Sequence, residues 1–99
     1  MSERLPFTVK FHSRLAKMSG HDCITIRSTI YRRDGYIPAR TLSHEYAHVE
    51  QWHELGVVRF VFAYLWEQIR RGYKENRFEK DAHAYADAHS QEFVDMDDK

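Results

Sequence analysis

The chain has a single cysteine, no net charge and no long apolar run. One cysteine cannot close an internal disulfide, so nothing here resembles the framework that staples small secreted domains. Fifteen Lys and Arg are balanced by fifteen Asp and Glu. That balance argues against a dedicated nucleic-acid binder, which carries a strong basic excess. The longest apolar stretch, Val57 to Trp66, is interrupted by Arg59 and is about half of the roughly 20 residues a membrane span needs. Met1 to Pro6 contains no apolar leader core, so a signal peptide is not expected and a cytoplasmic location is. Internal repeats and linker-like segments are missing too. What is present is a 99-residue chain, 42% hydrophobic and 14% aromatic, with seven histidines. That length suits one domain with a small core. The composition is that of a folded chain, and the histidines direct any chemistry toward imidazole.

The first third reads as strands. Phe7 to Phe11 alternates apolar and polar, as a half-buried strand does. Ser13 to Met18 reads as a turn or short helical piece closed by Ser19-Gly20. Cys23 to Tyr31 is rich in β-branched residues and reads as a second strand. Its alternation breaks near Ser28, where a bulge is expected. Arg33-Asp34-Gly35 signals a turn, and Tyr36-Ile37 a short third strand stopped by Pro38. The period then becomes helical. Leu42, Tyr46, Val49 and His53 form one stripe, with Thr41 or Ser43 as the N-cap and Gly56 as the stop. A second helix is expected over Val57 to Arg71, ended by Gly72. A third is capped by Asn76 and carries the stripe Phe78, Ala82, Tyr85, His89 and Phe93. The fold class is therefore α+β: a small domain over residues 1–94, with two to three N-terminal strands followed by three helices. Residues 95–99 form an acidic tail, expected to fray.

The segment with the clearest chemistry is His44-Glu45-Tyr46-Ala47-His48. Histidines four apart on a helix stand one turn apart on one face, so both rings can reach one metal ion. Glu45 lies about 100° round from His44, near such an ion without ligating it, and suits a general base toward metal-activated water. The wheel also divides: His44, His48 and Leu55 face one way, and Leu42, Tyr46, Val49 and His53 the other.

A catalytic zinc site has a third protein ligand and an open position. Glu79, at the border of the third helix's apolar stripe beside Ala86, is the first candidate. Asn76-x-x-Glu79 also fits a capping box, in which Glu79 turns back to the Asn76 backbone. His83, one turn on, is a rival ligand or a supporting donor. Glu75, Asp81 and Cys23 are further rivals.

His44-Glu45-x-x-His48 followed by Glu79 on a later helix resembles the gluzincin branch of the zincin metallopeptidases. The small size and the preceding short strands resemble the minigluzincins. The run His44 to Trp52, with Gly72-Tyr73 and Asn76-Arg77-Phe78-Glu79, is also similar to small bacterial and phage proteins regarded as metallopeptidases. The resemblance spans about residues 24 to 88. It implies a zincin-like domain, one Zn2+ per chain on His44, His48 and Glu79, and hydrolysis of peptide bonds. It also implies a strand beside the cleft that pairs with extended substrate. One departure is the position four beyond Glu79, which is acidic in larger gluzincins and is His83 here. The second lobe of the larger enzymes has no counterpart.

On this reading Glu45 takes the proton from a zinc-activated water and delivers it to the leaving amine. Tyr73, His83 and Tyr36 are candidate donors to the oxyanion. The expected partner is a peptide or protein substrate, with no nucleic-acid or membrane role. The alternative is a catalytically weak or latent zinc-stabilised interaction module. Val57, Val58, Phe60, Val61, Phe62, Leu65, Trp66 and Ile69 are expected to pack under the motif helix, or else to meet a partner. Arg70, Arg71, Lys74, Arg77 and Lys80 read as a solvated face.

Overall fold

The computed structural model describes residues 4–98. Met1 to Glu3, within the segment expected to hold no leader, and Lys99, at the end of the acidic tail, lie outside the described residues. The architecture is α+β, with short strands first and helices after. The elements are β1 (Thr8–Lys10), α1 (Arg14–Ser19), β2 (Cys23–Ile26), β3 (Thr29–Arg32) and β4 (Tyr36–Ile37). They continue with α2 (Ala39–Leu55), α3 (Val57–Glu75), α4 (Arg77–His89), a 3-10 turn over Ser90–Glu92 and β5 (Met96–Asp97). Among the described residues no helix is long and apolar enough to cross a membrane.

The expected single strand from Cys23 to Tyr31 is in fact a hairpin. β2 and β3 pair antiparallel with Ile26 opposite Thr29 and Cys23 opposite Arg32, and β1 pairs parallel to β3, giving the order β1-β3-β2. The reversal falls on Arg27, whose φ of 58° is left-handed. A non-glycine residue there costs on the order of 1 kcal/mol, and no Gly, Asn or Pro marks the turn. The broken alternation at Ser28 was its one sequence signal.

α2 crosses the centre of the domain. Leu42, Tyr46 and Val49 are buried with Ile30, Ile37 and Phe93 in one core cluster. Tyr46 is fully buried because its hydroxyl finds a partner, accepting from the Leu5 N–H at 2.7 Å. His53, assigned to the same stripe, is exposed near the end of α2. The helix starts three to five residues earlier than a Thr41 or Ser43 cap would place it. Pro38 holds the N-cap position with extended backbone and no capping side chain of its own. The missing acceptor comes from the tail: Asp95 Oδ1 accepts from the Ala39 N–H at 2.7 Å, and Asp95 Oδ2 from the Tyr36 hydroxyl at 2.6 Å. The tail is thus not frayed through Asp97. Met96 and Asp97 pair antiparallel with Ile37 and Tyr36. Within that ordered stretch Asp95 supplies an anion where the helix macrodipole favours one.

α3 breaks at Gly72, whose φ of 77° and ψ of 174° are non-helical, as expected of the stop residue. Asn76 then caps α4, its Oδ1 accepting from the Phe78 N–H at 2.9 Å while its Nδ2 reaches Gln68 Oε1 at 3.3 Å. Because Asn76 is fully buried, Asn76→Ala removes a cap and strands Phe78 N–H. A loss of about 2 kcal/mol in urea denaturation is expected, with Asn76→Asp retaining part of it.

Candidate metal centre

α2 and α4 pack side by side and bring the motif histidines against Glu79. His44 Nε2 and His48 Nε2 each lie 3.2 Å from Glu79 Oε1. One ligand atom from each of the three residues falls within 4.8 Å of the other two. Among the described residues this is the one such group of three. Glu79 therefore does not turn back to its own N-cap. The start of α4 is capped by Asn76 and by Glu67, whose Oε1 accepts from the Arg77 N–H at 3.0 Å, and the Glu79 carboxylate faces α2.

Two further residues hold the cluster in place. The Tyr64 hydroxyl, from α3, donates to Glu79 Oε2 at 2.6 Å. This leaves Oε1 directed at the histidines. Gln51 lies one turn after His48, and its Nε2 donates to the Phe78 carbonyl at 3.0 Å. Its Oε1 must then face His48 Nδ1, at 2.8 Å. A carbonyl oxygen only accepts, so Nδ1 carries the proton and Nε2 is the ring atom turned to Glu79. Sequence reasoning missed both residues. The only available hints were Gln51 at i+3 from His48 and Tyr64 at i+4 from Phe60, spacings that many core residues share.

The electrostatics follow from burial against these contacts. Burial raises the Glu79 carboxyl, but the hydrogen bonds to His44 and His48, the His48 charge and the Tyr64 hydroxyl outweigh it and hold it well below the usual range. Burial disfavours charge on His48, yet its hydrogen bond to Glu79 and the Glu45 and Glu79 carboxylates raise its pKa. The Tyr64 hydroxyl is raised by burial first and then by Glu79. Glu79 is thereby held as a carboxylate by the donors around it, and His48 lies beside two carboxylates that favour positive charge there.

Glu45 is buried beside the cluster, and its Oε1 accepts from the Thr25 hydroxyl at 2.7 Å. Both residues line a cleft of about 320 Å³ with Cys23, His48, Tyr64 and Tyr73. The cleft runs between β2, the edge strand of its sheet, and α3. Trp52 Nε1 donates to the Thr25 carbonyl at 3.1 Å and fastens that edge to α2. Since this carbonyl points away from β3, the main-chain groups of Thr25, and of Cys23 two residues before it, face outward.

The other candidates are distributed as follows. His83 is exposed, with its ring 4.4 Å from the His44 ring centroid, and burial and the nearby His44 lower its pKa. It stands beside the cluster without joining it. Glu75 pairs with Lys80 at 2.8 Å, and Asp81 and Cys23 are not among the converging ligand atoms. Burial pushes the Cys23 thiol up to about 12. Tyr73 lines the cleft, its hydroxyl pushed up to about 12 by burial and the Glu79 and Glu45 charges. Tyr36 donates to Asp95 and so serves the tail, not the cleft. Comparison with family models, curated proteins and solved structures found no match to this chain.

Proposed function

We propose that the protein is a zinc-dependent metallopeptidase of the small gluzincin type, working in the cytoplasm on peptide bonds of extended substrates. The observation that supports it best is the convergence of His44, His48 and Glu79 with Glu45 beside them on a cleft. Two imidazoles and one carboxylate are a donor set that catalytic zinc takes. The 3.2 Å spacing of each histidine nitrogen from Glu79 Oε1 fits the roughly 3.3 Å between tetrahedral ligands with bonds near 2.0 Å.

Bound zinc supplies Lewis acidity, polarising a carbonyl oxygen and lowering the pKa of water toward about 7. The chain's residues do the rest. Glu45 accepts the proton of the attacking water and returns it to the leaving nitrogen. Its hydrogen bond from Thr25 fixes one oxygen and leaves the other for that transfer. Gln51 orients His48, and Tyr64 orients Glu79. Tyr73, which lines the cleft, and His83, beside the His44 ring, are the candidate donors to a developing oxyanion. The Thr25 carbonyl is held by Trp52, and the remaining outward main-chain groups of Cys23 and Thr25 suit pairing with an extended peptide.

The test is metal analysis of the purified protein with and without chelation. One zinc per chain is expected, and its removal lowers Tm and stops cleavage of an unstructured peptide. A protein that holds no zinc and whose Tm does not respond to added zinc overturns the proposal. The second reading is a zinc-stabilised interaction module, favoured by the exposed apolar side of α3. Zinc retained without hydrolysis across a broad peptide library would select it.

A further inference from the structure

The stretch expected to pack under α2 does so only in part. Of the large apolar residues of α3, Phe60 is buried against Trp52 and Phe78. The outer face remains uncovered: Val58 is 67% exposed, Phe62 69%, Leu65 50%, Trp66 59% and Ile69 80%. Val58, Phe62, Leu65 and Ile69 follow a 4-3-4 spacing. That is the seam of a helix pairing with another helix, not a scatter of surface residues.

We propose that this face is a self-association surface, and that two copies of the chain pair along α3 as antiparallel helices related by a two-fold axis. With the axis between residues 63 and 64, Phe62 of one copy meets Leu65 of the other, and Val58 meets Ile69. Val61 meets Trp66 in the same register. The pattern is self-complementary, as an isologous interface must be. Charges agree with it. Arg59 falls opposite Gln68 and Arg70 opposite Val57, so no like charges oppose each other across the seam. Arg70 already lies over the Trp66 ring at 5.7 Å, at the rim. A chain with no net charge has no long-range repulsion to overcome on pairing.

Size points to the same occupant. At about 150–250 Å² for each large side chain, the exposed fractions amount to roughly 700 Å². That exceeds the roughly 300–600 Å² of a typical monomer's largest patch, and it approaches the roughly 800 Å² that each partner of a standard interface contributes. The inner edge of the seam, Val61 and Leu65, is also the α3 wall of the cleft. A second copy would therefore sit along one rim of the cleft, while the metal ligands stay outside the interface. The inference does not depend on the metal.

Sedimentation of the full-length protein over a concentration series tests it. The wild type is expected to dimerise reversibly. Phe62→Glu and Ile69→Glu, both at exposed positions, should weaken self-association by on the order of 30-fold or more with unchanged circular dichroism. Register is read separately, in a Cys23→Ala background. Val58→Cys and Ile69→Cys should form a disulfide with each other in a mixture and not with themselves. A wild type that stays monomeric at every concentration overturns the proposal, as does a dimer that survives both glutamate substitutions. Self-crosslinking of either cysteine variant overturns the antiparallel register. A monomer that binds anionic lipid vesicles through the same residues would assign the face to a membrane surface instead.

Discussion

Glu45→Gln is expected to abolish peptide hydrolysis while leaving zinc content and Tm at wild-type values. Glutamine keeps the shape of glutamate, and its carbonyl oxygen still accepts from the Thr25 hydroxyl that holds Glu45 Oε1 at 2.7 Å. What it loses is the ability to take a proton. General-base catalysis contributes about 10²–10⁴ in rate, so kcat should fall by at least that factor, with little change in KM. Thr25→Val removes the hydroxyl and keeps the base. A smaller loss is expected there, in kcat, because the carboxylate is freed to rotate. Measuring both variants with the same peptide separates the two roles. Residual Glu45→Gln activity within about tenfold of wild type would remove Glu45 from the mechanism, whatever the zinc content.

The second large effect belongs to Glu79. Glu79→Ala should lose zinc, whereas His83→Ala should keep it. Glu79 Oε1 lies against both motif histidines, while His83 packs on the His44 ring. Losing a ligand should weaken zinc binding by more than the roughly 10–100-fold that loss of a supporting residue costs. His83→Ala should fall within that smaller range. Glu79→Ala also leaves the part-buried Tyr64 hydroxyl without its acceptor. A loss of about 1–3 kcal/mol in urea denaturation of the metal-free protein is expected, and Tyr64→Phe in the same background should recover part of it. Zinc lost in His83→Ala and kept in Glu79→Ala would exchange the two assignments.

Much of the candidate site was legible because its signals are local. A helix places residues i and i+4 on one face whatever surrounds it, so His44 and His48 had to stand together once α2 formed. Asn76 read as a cap for the same reason, since its hydrogen bond to Phe78 N–H spans two residues. The orientation of the Glu79 carboxylate was not legible. Asn76-x-x-Glu79 fits a capping box as well as a ligand, and only the packing of α4 on α2 turns that carboxylate toward the histidines. Tyr64 and Gln51 were missed on the same ground, since each acquires its role through a partner on another helix.

The larger departures in the fold have one common origin. The β2–β3 hairpin turns at Arg27 without a glycine, because burial of Ile30 and pairing with β1 outweigh the local cost. Asp95 and β5 were read as a loose end, since an acidic run has no local reason to order. They order because Pro38 leaves the Ala39 N–H without a capping side chain and the chain end passes near enough to supply one. The face of α3 admitted two readings, packing under α2 or meeting a partner, because a helix apolar almost all round is normally buried by something. Among the described residues no element packs over its outer side.

By itself, then, the sequence determined the element types, the α+β order and the geometry of the His44–His48 pair, because backbone period and capping act within a few residues. The single cysteine also excluded an internal disulfide at that level. Only the tertiary structure decided where Glu79 points, what holds it, what the tail does and which side of α3 stays open. Those outcomes depend on contacts between residues far apart in the chain, and a local pattern carries no record of which face another element will cover.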